Sequence, residues 1–301
     1  MSETAAGVER LGSLNGHSVG IVMKELVQRA MAVIRQERFR FVATDKVSAY
    51  KQGWDVVTSA DQRAQEIVLR TLQECFPGVG IVAEEDELSL PCTLRGVDAF
   101  FTVDPLDGTK AFVRRQSHGI GTMLALVVDG EVAAAYVGDV MTKEIYGFRP
   151  GSRKVHRISD REGTERLEID PRRPLIEQTL ALREMPCRLS RATQQLAVDD
   201  GPFQKVEVGG GSIGIQAARL WKGEIGGLVL AAGTDTAWDL LPVLGISQHL
   251  GFGFFDLTEA GVVPCPLRPQ PSAQQRLHDT LVIQESRVGD LNRTLGRLRD
   301  G

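Results

Sequence analysis

The sequence predicts a layered α/β sandwich, and three observations support this fold class. Helix and strand patterns alternate in the second half of the chain, whereas the first half is richer in antiparallel hairpins. The chain has 301 residues, of which 42% are hydrophobic, so it can bury a full core. No internal repeat is present. Elements in this order pack as layers, and we expect neither a helical bundle nor a closed barrel.

The helices are predicted from apolar residues that recur at steps of three and four. The first such stripe covers 17–38. A second begins at Ser59, whose spacing to Gln62 fits a capping box, and it ends before Pro77. Two further helices are expected in the second half, over 213–221 and 238–250.

The strands are predicted from short apolar runs between turn residues. The Asp129-Gly130 pair lies between two of these runs, which is a strong hairpin signal and favours an antiparallel sheet. The polar, basic stretch 151–173 is expected to be a loop-rich connection or an exposed hairpin. The expected strands cover 79–83, 97–103, 124–128, 131–137, 144–148, 225–230 and 251–255.

A change of composition near Pro150 suggests two domains. We expect an N-terminal α+β domain over 17–150 and a C-terminal α/β domain over 151–286. The segments 1–16 and 287–301 are expected to flank these domains.

The charge argues against several classes of partner, and the cysteine content indicates the redox state of the thiols. The formal charge is −4, which argues against a nucleic-acid polymer and against an anionic membrane surface. A small anionic substrate could still bind through a local site or through bound metal ions. The four cysteines form no C-x-x-C pair and are expected to be reduced thiols. Neither a secretory signal nor a membrane span is recognisable, so we expect a cytoplasmic protein.

The most informative segment follows the strand predicted over 97–103. Asp104 and Asp107 lie three residues apart, with Pro105 between them and Gly108 allowing a tight turn. Together with the Leu106 carbonyl they offer the oxygen ligands that hard divalent cations prefer. A turn whose aspartates cap the next helix is the alternative. The spacing fits neither an EF-hand loop nor the D-x-D-x-T pattern of a phosphoaspartate hydrolase.

Three other acidic segments are ambiguous when each is taken alone. Glu84 begins a run of four acids after a predicted strand, which is either a solvated loop or a neighbour of Asp104 across parallel strands. Asp55, before a helix start, and Asp239, within one, are equally suitable as helix caps.

Taken together, the four segments resemble the inositol monophosphatase superfamily, over about residues 20–285. The family's signature is similar to the run from Asp104 to Thr109, its acidic pair to Glu84-Glu85, and its W-D motif to Trp238-Asp239. Its D-x-V-T-x-x-D stretch is similar to 55–61. All four occur in the family's order.

The resemblance implies a function and a set of site residues. It implies a layered α-β-α-β-α fold, often a homodimer that Li⁺ inhibits, and a Mg²⁺-dependent phosphomonoesterase holding two or three ions. The water would attack phosphorus directly, oriented by Thr109 paired with Asp55. The implied metal ligands are Glu84, Asp104, the Leu106 carbonyl, Asp107 and Asp239, with Glu84 also counted as catalytic. The implied substrate-binding residues are Asp107, Gly108, Thr109, Gly211, Ser212 and Asp239.

We expect the substrate to be a small phosphorylated metabolite. Several residues favour one branch of the family over another. Lys110 after the signature and the Gly211-Ser212 turn are similar to the bisphosphate nucleotidase branch. Ala232 and Thr236 stand where the inositol branch tends to carry Glu and His. We therefore expect a nucleoside 3′,5′-bisphosphate, with an inositol phosphate or a sugar phosphate as alternatives. A binding protein without turnover is a rival from another class, and a two-metal nuclease is disfavoured by the negative charge.

Overall fold

The computed structural model describes residues 15–46, 50, 55–198 and 201–300, without the side chains of Lys46, Asp55 and 296–300. Most of the predicted flank 1–16 therefore lies outside the described residues. The helices are α1 (Gly16–Glu37), α2 (Ser59–Cys75), α3 (Thr109–Val113), α4 (Arg191–Leu196), α5 (Ile213–Trp221), α6 (Ala237–His249) and α7 (Val288–Asp300). No helix within the described ranges has the length and apolarity that a membrane span needs.

The strands are β1 (Ala43–Lys46), β2 (Asp55–Thr58), β3 (Gly80–Ala83), β4 (Ser89–Leu90), β5 (Ala99–Asp107), β6 (Gly121–Val128), β7 (Glu131–Asp139), β8 (Ile145–Phe148), β9 (His156–Ser159), β10 (Gly163–Arg166), β11 (Thr179–Leu182), β12 (Lys205–Val208), β13 (Gly227–Leu230), β14 (Gly233–Asp235), β15 (Phe252–Thr258), β16 (Gly261–Pro264), β17 (Gln274–Arg276) and β18 (Thr280–Gln284). They form two large sheets and two small two-stranded ones.

Five layers alternate through the molecule. The first large sheet has the order β10-β9-β8-β7-β6-β5-β3-β4, and the second has the order β12-β11-β13-β18-β15-β16. Helices α1 and α2 cover the outer face of the first sheet, and α5 and α6 lie between the two sheets. Helices α4 and α7 pack on the second sheet at β15 and β16. This is the α-β-α-β-α sandwich that the sequence predicted.

The apolar core is divided in the same way. Along β6, Leu124 and Leu126 belong to the cluster beneath α1 and α2, whereas Met123 and Val127 belong to the cluster shared with α5 and α6. Successive strand residues point to opposite faces, and this strand is buried along its whole length because helices cover both faces. A third cluster lies between the second sheet and α7.

Helix α2 begins one residue earlier than predicted, because the predicted capping box of Ser59 and Gln62 would have made Ser59 the N-cap. The N-cap is Thr58, whose backbone is extended at φ −118° and ψ 162°. Its hydroxyl accepts from Ala60 N at 3.2 Å, and its own N–H donates to Asp61 Oδ2 at 2.8 Å. The Ser59 hydroxyl instead accepts from the Val42 N–H at 3.2 Å, so it is not available to cap the helix.

The hairpin between β6 and β7 is confirmed. Asp129 and Gly130 have φ values of +50° and +79°, and a two-residue turn that matches the twist of its strands needs positive φ at both positions. Of the two alternatives for 151–173, a loop-rich connection or an exposed hairpin, the structure shows a hairpin, because β9 and β10 pair with each other and β9 pairs with β8. This hairpin extends the first sheet although it follows Pro150.

The segment 287–301 is more than a flank. Helix α7 occupies most of it, and its residues Leu291 and Leu295 are buried in the third apolar cluster. The sequence prediction missed this helix.

Candidate metal centre

A bulge in β5 brings two of the predicted metal ligands to one side of the sheet. Asp104 pairs with Met123 of β6 and Asp107 pairs with Gly121, so three steps along β5 match two along β6. In a regular strand, residues three apart point to opposite faces, and the extra residue of a bulge corrects this. The side chains of Asp104 and Asp107 are therefore on the same side, at the edge facing α6.

A third carboxylate reaches the same point from α6. Asp239 lies in the first turn of that helix and accepts a hydrogen bond from the Thr236 hydroxyl at 2.9 Å. Carboxylate oxygens of Asp104, Asp107 and Asp239 lie within 4.8 Å of one another. The two strand aspartates are buried, and Asp239 is partly exposed.

This cluster fits a divalent cation. Burial of Asp107 raises its pKa, and the nearby Asp239 raises it further, against the opposing effects of Ser212, Arg183 and the Gly214 N–H. Like charges held together in a buried site are unfavourable unless a cation compensates them. Closely spaced carboxylate oxygens are the donors that Mg²⁺ prefers, so these residues suit the metal that the sequence implied.

Glu84 lies beside this cluster, as the sequence predicted from parallel neighbouring strands. Strands β3 and β5 pair in parallel with Ala83 opposite Val103, so Glu84 and Asp104 follow at equivalent positions. The Glu84 N–H donates to the Val103 carbonyl at 3.1 Å. Its side chain lines the same cavity as the three aspartates, although it is not part of the 4.8 Å cluster.

Thr109 lies between the metal cluster and a buried carboxylate. Its hydroxyl is 3.1 Å from the Leu106 carbonyl oxygen and 3.2 Å from Asp61 Oδ1. Burial raises the pKa of Asp61 to about 6, with Glu84 adding to the effect and the Thr58 hydrogen bonds opposing it. A carboxyl group with this pKa can exchange a proton near neutral pH.

The sequence pattern named Asp55 as the partner of Thr109, and the structure does not test this prediction. The side chain of Asp55 lies outside the described residues, and the acceptor within the described part of the chain is Asp61. Asp61 is the last residue of the same D-x-V-T-x-x-D stretch. It is fully buried because the capping box turns it inward at the start of α2.

The glycine turn before α5 holds Asp107. The Ser212 hydroxyl donates to Asp107, and the Gly214 N–H donates to the same carboxylate at 2.8 Å. Gly108 and Gly119 pass close to this turn. A Cβ on Gly108, where φ is +90°, would lie 2.3 Å from the Gly119 carbonyl oxygen. These contacts join the first sheet to α5 and position Asp107.

The cavity around the cluster holds about 450 Å³. Six carboxylates and three cationic side chains line it, a formal charge of −3 among the described residues. Two of these cationic residues, Arg183 and Arg276, were not predicted from the sequence. Arg183 directly follows β11 of the second sheet, and Arg276 is the last residue of β17. A cavity with this net charge repels an anionic ligand, and bound metal cations would compensate for the excess negative charge.

A cluster of oxygen ligands between the sheets of an α-β-α-β-α sandwich defines a candidate divalent-cation centre. The sequence pattern of the Inositol monophosphatase family matches residues 17–284, and the chain belongs to this family. Among curated relatives, the Nus factor SuhB of Escherichia coli K12 is 31% identical over 105 residues, which are 34% of this chain and 37% of that protein. Inositol-1-monophosphatase of Bacillus subtilis is 27% identical over 132 residues, 44% of this chain and 48% of the relative.

Solved structures share the fold over nearly the full length. The extragenic suppressor protein suhB of Bartonella henselae superposes with a TM-score of 0.69 at 19% identity, covering 92% of this chain and 98% of that one. An IMPase/NADP phosphatase complexed with Mg²⁺ and phosphate has a TM-score of 0.66 at 18% identity, covering 93% and 95%. The matches to the curated relatives span between about a third and a half of those proteins.

Proposed function

We propose that this protein is a Mg²⁺-dependent phosphomonoesterase acting on a small-molecule phosphate. The observation that carries the proposal is the cluster of Asp104, Asp107 and Asp239 beside the Thr109–Asp61 pair. The first group suits a divalent cation, and the second suits a proton transfer. Membership of the family supports the same reaction class.

Each residue has a role in this proposal. Glu84, Asp104, Asp107, Asp239 and the Leu106 carbonyl would hold two or three Mg²⁺ ions, which when bound supply Lewis acidity to the phosphate and lower the pKa of water. The Thr109 hydroxyl orients the attacking water. The proton of this water passes through the Thr109 hydroxyl to Asp61, which lies 3.2 Å from that hydroxyl and acts as the general base.

The substrate we favour is a nucleoside 3′,5′-bisphosphate. Lys110, similar to the nucleotidase branch, lines the cavity. Gly108, Thr109 and Gly211 line the cavity and, together with Ser212, would contact the substrate. Ala232 lacks the carboxylate with which the inositol branch binds an inositol hydroxyl. Thr236 stands where that branch often has His, and its hydroxyl donates to Asp239 at 2.9 Å.

An inositol phosphate or a sugar phosphate is the alternative within the same reaction class. The relative from Bacillus subtilis is an inositol-1-monophosphatase. One solved relative is a dual specific IMPase/NADP phosphatase bound with D-inositol-1-phosphate. We also propose that the protein forms a homodimer, is inhibited by Li⁺ and has no nucleic-acid polymer as its substrate.

The experiment that tests the proposal is phosphate release from a panel of candidate substrates. The panel contains adenosine 3′,5′-bisphosphate, inositol 1-phosphate, fructose 1,6-bisphosphate and AMP, each with Mg²⁺, with EDTA and with Mg²⁺ plus Li⁺. We expect Mg²⁺-dependent release that EDTA abolishes, fastest from the adenosine bisphosphate. Binding of a panel member in calorimetry without release of phosphate would instead support a binding protein without turnover.

A further inference from the structure

We propose that Arg183 binds a second anionic group of the substrate and so selects molecules that carry two negative groups. This proposal rests on the proposed function, in which the phosphate to be hydrolysed binds at the carboxylate cluster through metal cations. Arg183 lines the cavity that contains Asp104, Asp107 and Asp239.

One terminal nitrogen of the Arg183 guanidinium is hydrogen-bonded, and the other has no partner among the described residues. The residue follows β11, and its backbone N–H donates to the Val229 carbonyl at 3.3 Å. Nη2 donates to the Gly211 carbonyl at 2.9 Å. Nη1 is buried and has no hydrogen-bond partner among the described residues. A buried donor without a partner is costly, so its retention in a cavity points to a ligand.

The other arginine of the cavity has no such capacity. Arg276 forms a buried ion pair with Asp235, with Nη2 at 2.9 Å from Oδ1 and Nε donating to Oδ2. Its Nη1 donates to the Leu230 carbonyl and to the Thr280 hydroxyl, each at 3.2 Å. Arg276 therefore has a structural role at the wall of the cavity, and Arg183 is the arginine with a donor to offer.

The charges around Arg183 depend on the state of the metal site. Burial lowers the pKa of Arg183, and the negative charges of Asp107, Asp239 and Glu184 oppose that effect. A guanidinium remains charged in proteins. When cations neutralise the two aspartates, Glu184 is left as the remaining compensating charge of these three, and a substrate anion would replace the charge of the aspartates.

The chemistry of a guanidinium suits a phosphate as this second group. Its planar N–H donors match phosphate and carboxylate oxygens, and such charge-assisted bonds are about twice as strong as neutral ones. A cavity of about 450 Å³ is in the range that binds nucleotide-sized ligands. The polyol ring of an inositol monophosphate offers only neutral hydroxyl groups at this position and would not replace the charge of the aspartates.

The test compares two substrates that differ only in the second phosphate, adenosine 3′,5′-bisphosphate and adenosine 3′-monophosphate, with Arg183→Gln and Arg183→Lys. We expect Arg183→Gln to lower kcat/KM for the bisphosphate by about 10- to 100-fold, mainly through KM, and to change the monophosphate value by less than about threefold. Arg183→Lys keeps the positive charge but loses the paired N–H donors of the guanidinium, so its kcat/KM for the bisphosphate should lie between those of wild type and Arg183→Gln. The matched control is Arg188→Gln, at an exposed arginine five residues further along.

Several results would overturn the proposal. Equal losses on both substrates would show that Arg183 supports the site without recognising the second anion, and thermal denaturation would check whether the variant is folded. A loss specific to the bisphosphate in Lys110→Gln but not in Arg183→Gln would assign the role to Lys110, the remaining cation of the cavity.

A binding measurement separates this proposal from the proposed function. With Ca²⁺ in place of Mg²⁺, calorimetry follows binding of the same two ligands without requiring turnover. We expect wild type to bind the bisphosphate more tightly than the monophosphate. In Arg183→Gln the ratio of these two affinities should fall by about 10- to 100-fold. Absence of phosphate release would contradict the proposed function but not the role of Arg183. Equal affinity of wild type for both ligands would contradict the role of Arg183.

Discussion

Replacing Asp61 by asparagine should slow turnover and at the same time stabilise the metal-free protein at alkaline pH. The hydrogen bonds around Asp61 can survive the change. The new Oδ1 can accept from the Thr58 N–H, which now donates to Asp61 at 2.8 Å. The new amide can donate to Thr109, whose own proton then goes to the Leu106 carbonyl at 3.1 Å. The substitution therefore removes a buried charge and leaves the packing in place.

The size of the stabilisation follows from the pKa of Asp61. Folding raises it from 3.8 to about 6, so the native state holds this proton more tightly than the unfolded chain does. The contribution is fully present below about pH 4 and is lost as the pH rises through 6. A difference of about two pKa units corresponds to about 3 kcal/mol. The asparagine side chain does not ionise, so the variant keeps this free energy at pH 8.

Urea denaturation in EDTA at several pH values measures this effect. We expect Asp61→Asn to exceed wild type by up to about 3 kcal/mol at pH 8, with the difference disappearing toward pH 4. EDTA is needed because a bound cation would itself lower the pKa of nearby carboxyl groups. A variant less stable than wild type at pH 8, or a difference independent of pH, would refute the reasoning.

The activity of the same variant tests the assignment of the base. Asparagine cannot accept a proton, so kcat with Mg²⁺ should fall by about 10²- to 10⁴-fold. Asp55→Asn is the informative comparison because the sequence pattern assigned the role to Asp55. Full activity in Asp61→Asn with loss of activity in Asp55→Asn would return the role to Asp55.

Two further substitutions test how the site is held together. Ser212→Ala removes the N-cap of α5 and a donor to Asp107, so urea denaturation should show a loss of about 1–2 kcal/mol and Mn²⁺ calorimetry a weaker site; unchanged Mn²⁺ affinity would contradict the role of Ser212. Gly108→Ala places a Cβ 2.3 Å from the Gly119 carbonyl oxygen and should cost about 2–4 kcal/mol in the same denaturation assay. The control is Gly130→Ala, which also has positive φ but no atom within 4 Å of the new Cβ. Equal losses in the two glycine variants would show that the close approach at Gly108 is unimportant.

Local patterns predicted the layered fold and the placement of Glu84 because both depend on short-range rules. A strand followed by acidic residues, twice in succession and in parallel, must place Glu84 near Asp104 at one sheet edge. The hairpin at Asp129-Gly130 was equally predictable from its two residues. The α7 helix was missed although Leu291 and Leu295 repeat at a helical spacing, because its polar composition hides the pattern.

The partner of Thr109 and the role of Arg183 depend on longer-range geometry. Asp55 and Asp61 belong to one motif, and only the position of Thr58 as N-cap shows that Asp61 turns inward toward Thr109. Arg183 reaches the cavity because the second sheet brings β11 opposite the glycine turn at Gly211, a contact between distant parts of the chain. No local pattern distinguishes Arg183 from an exposed arginine.

The central claim is that Asp104, Asp107 and Asp239 hold the cations needed for phosphate hydrolysis. The most direct test is a Mg²⁺ titration of phosphate release from adenosine 3′,5′-bisphosphate, with wild type and Asp104→Ala in parallel. We predict that wild type depends on Mg²⁺ and that the variant loses about 10³-fold or more in kcat at every Mg²⁺ concentration. Near-wild-type turnover of Asp104→Ala at saturating Mg²⁺ would contradict the account.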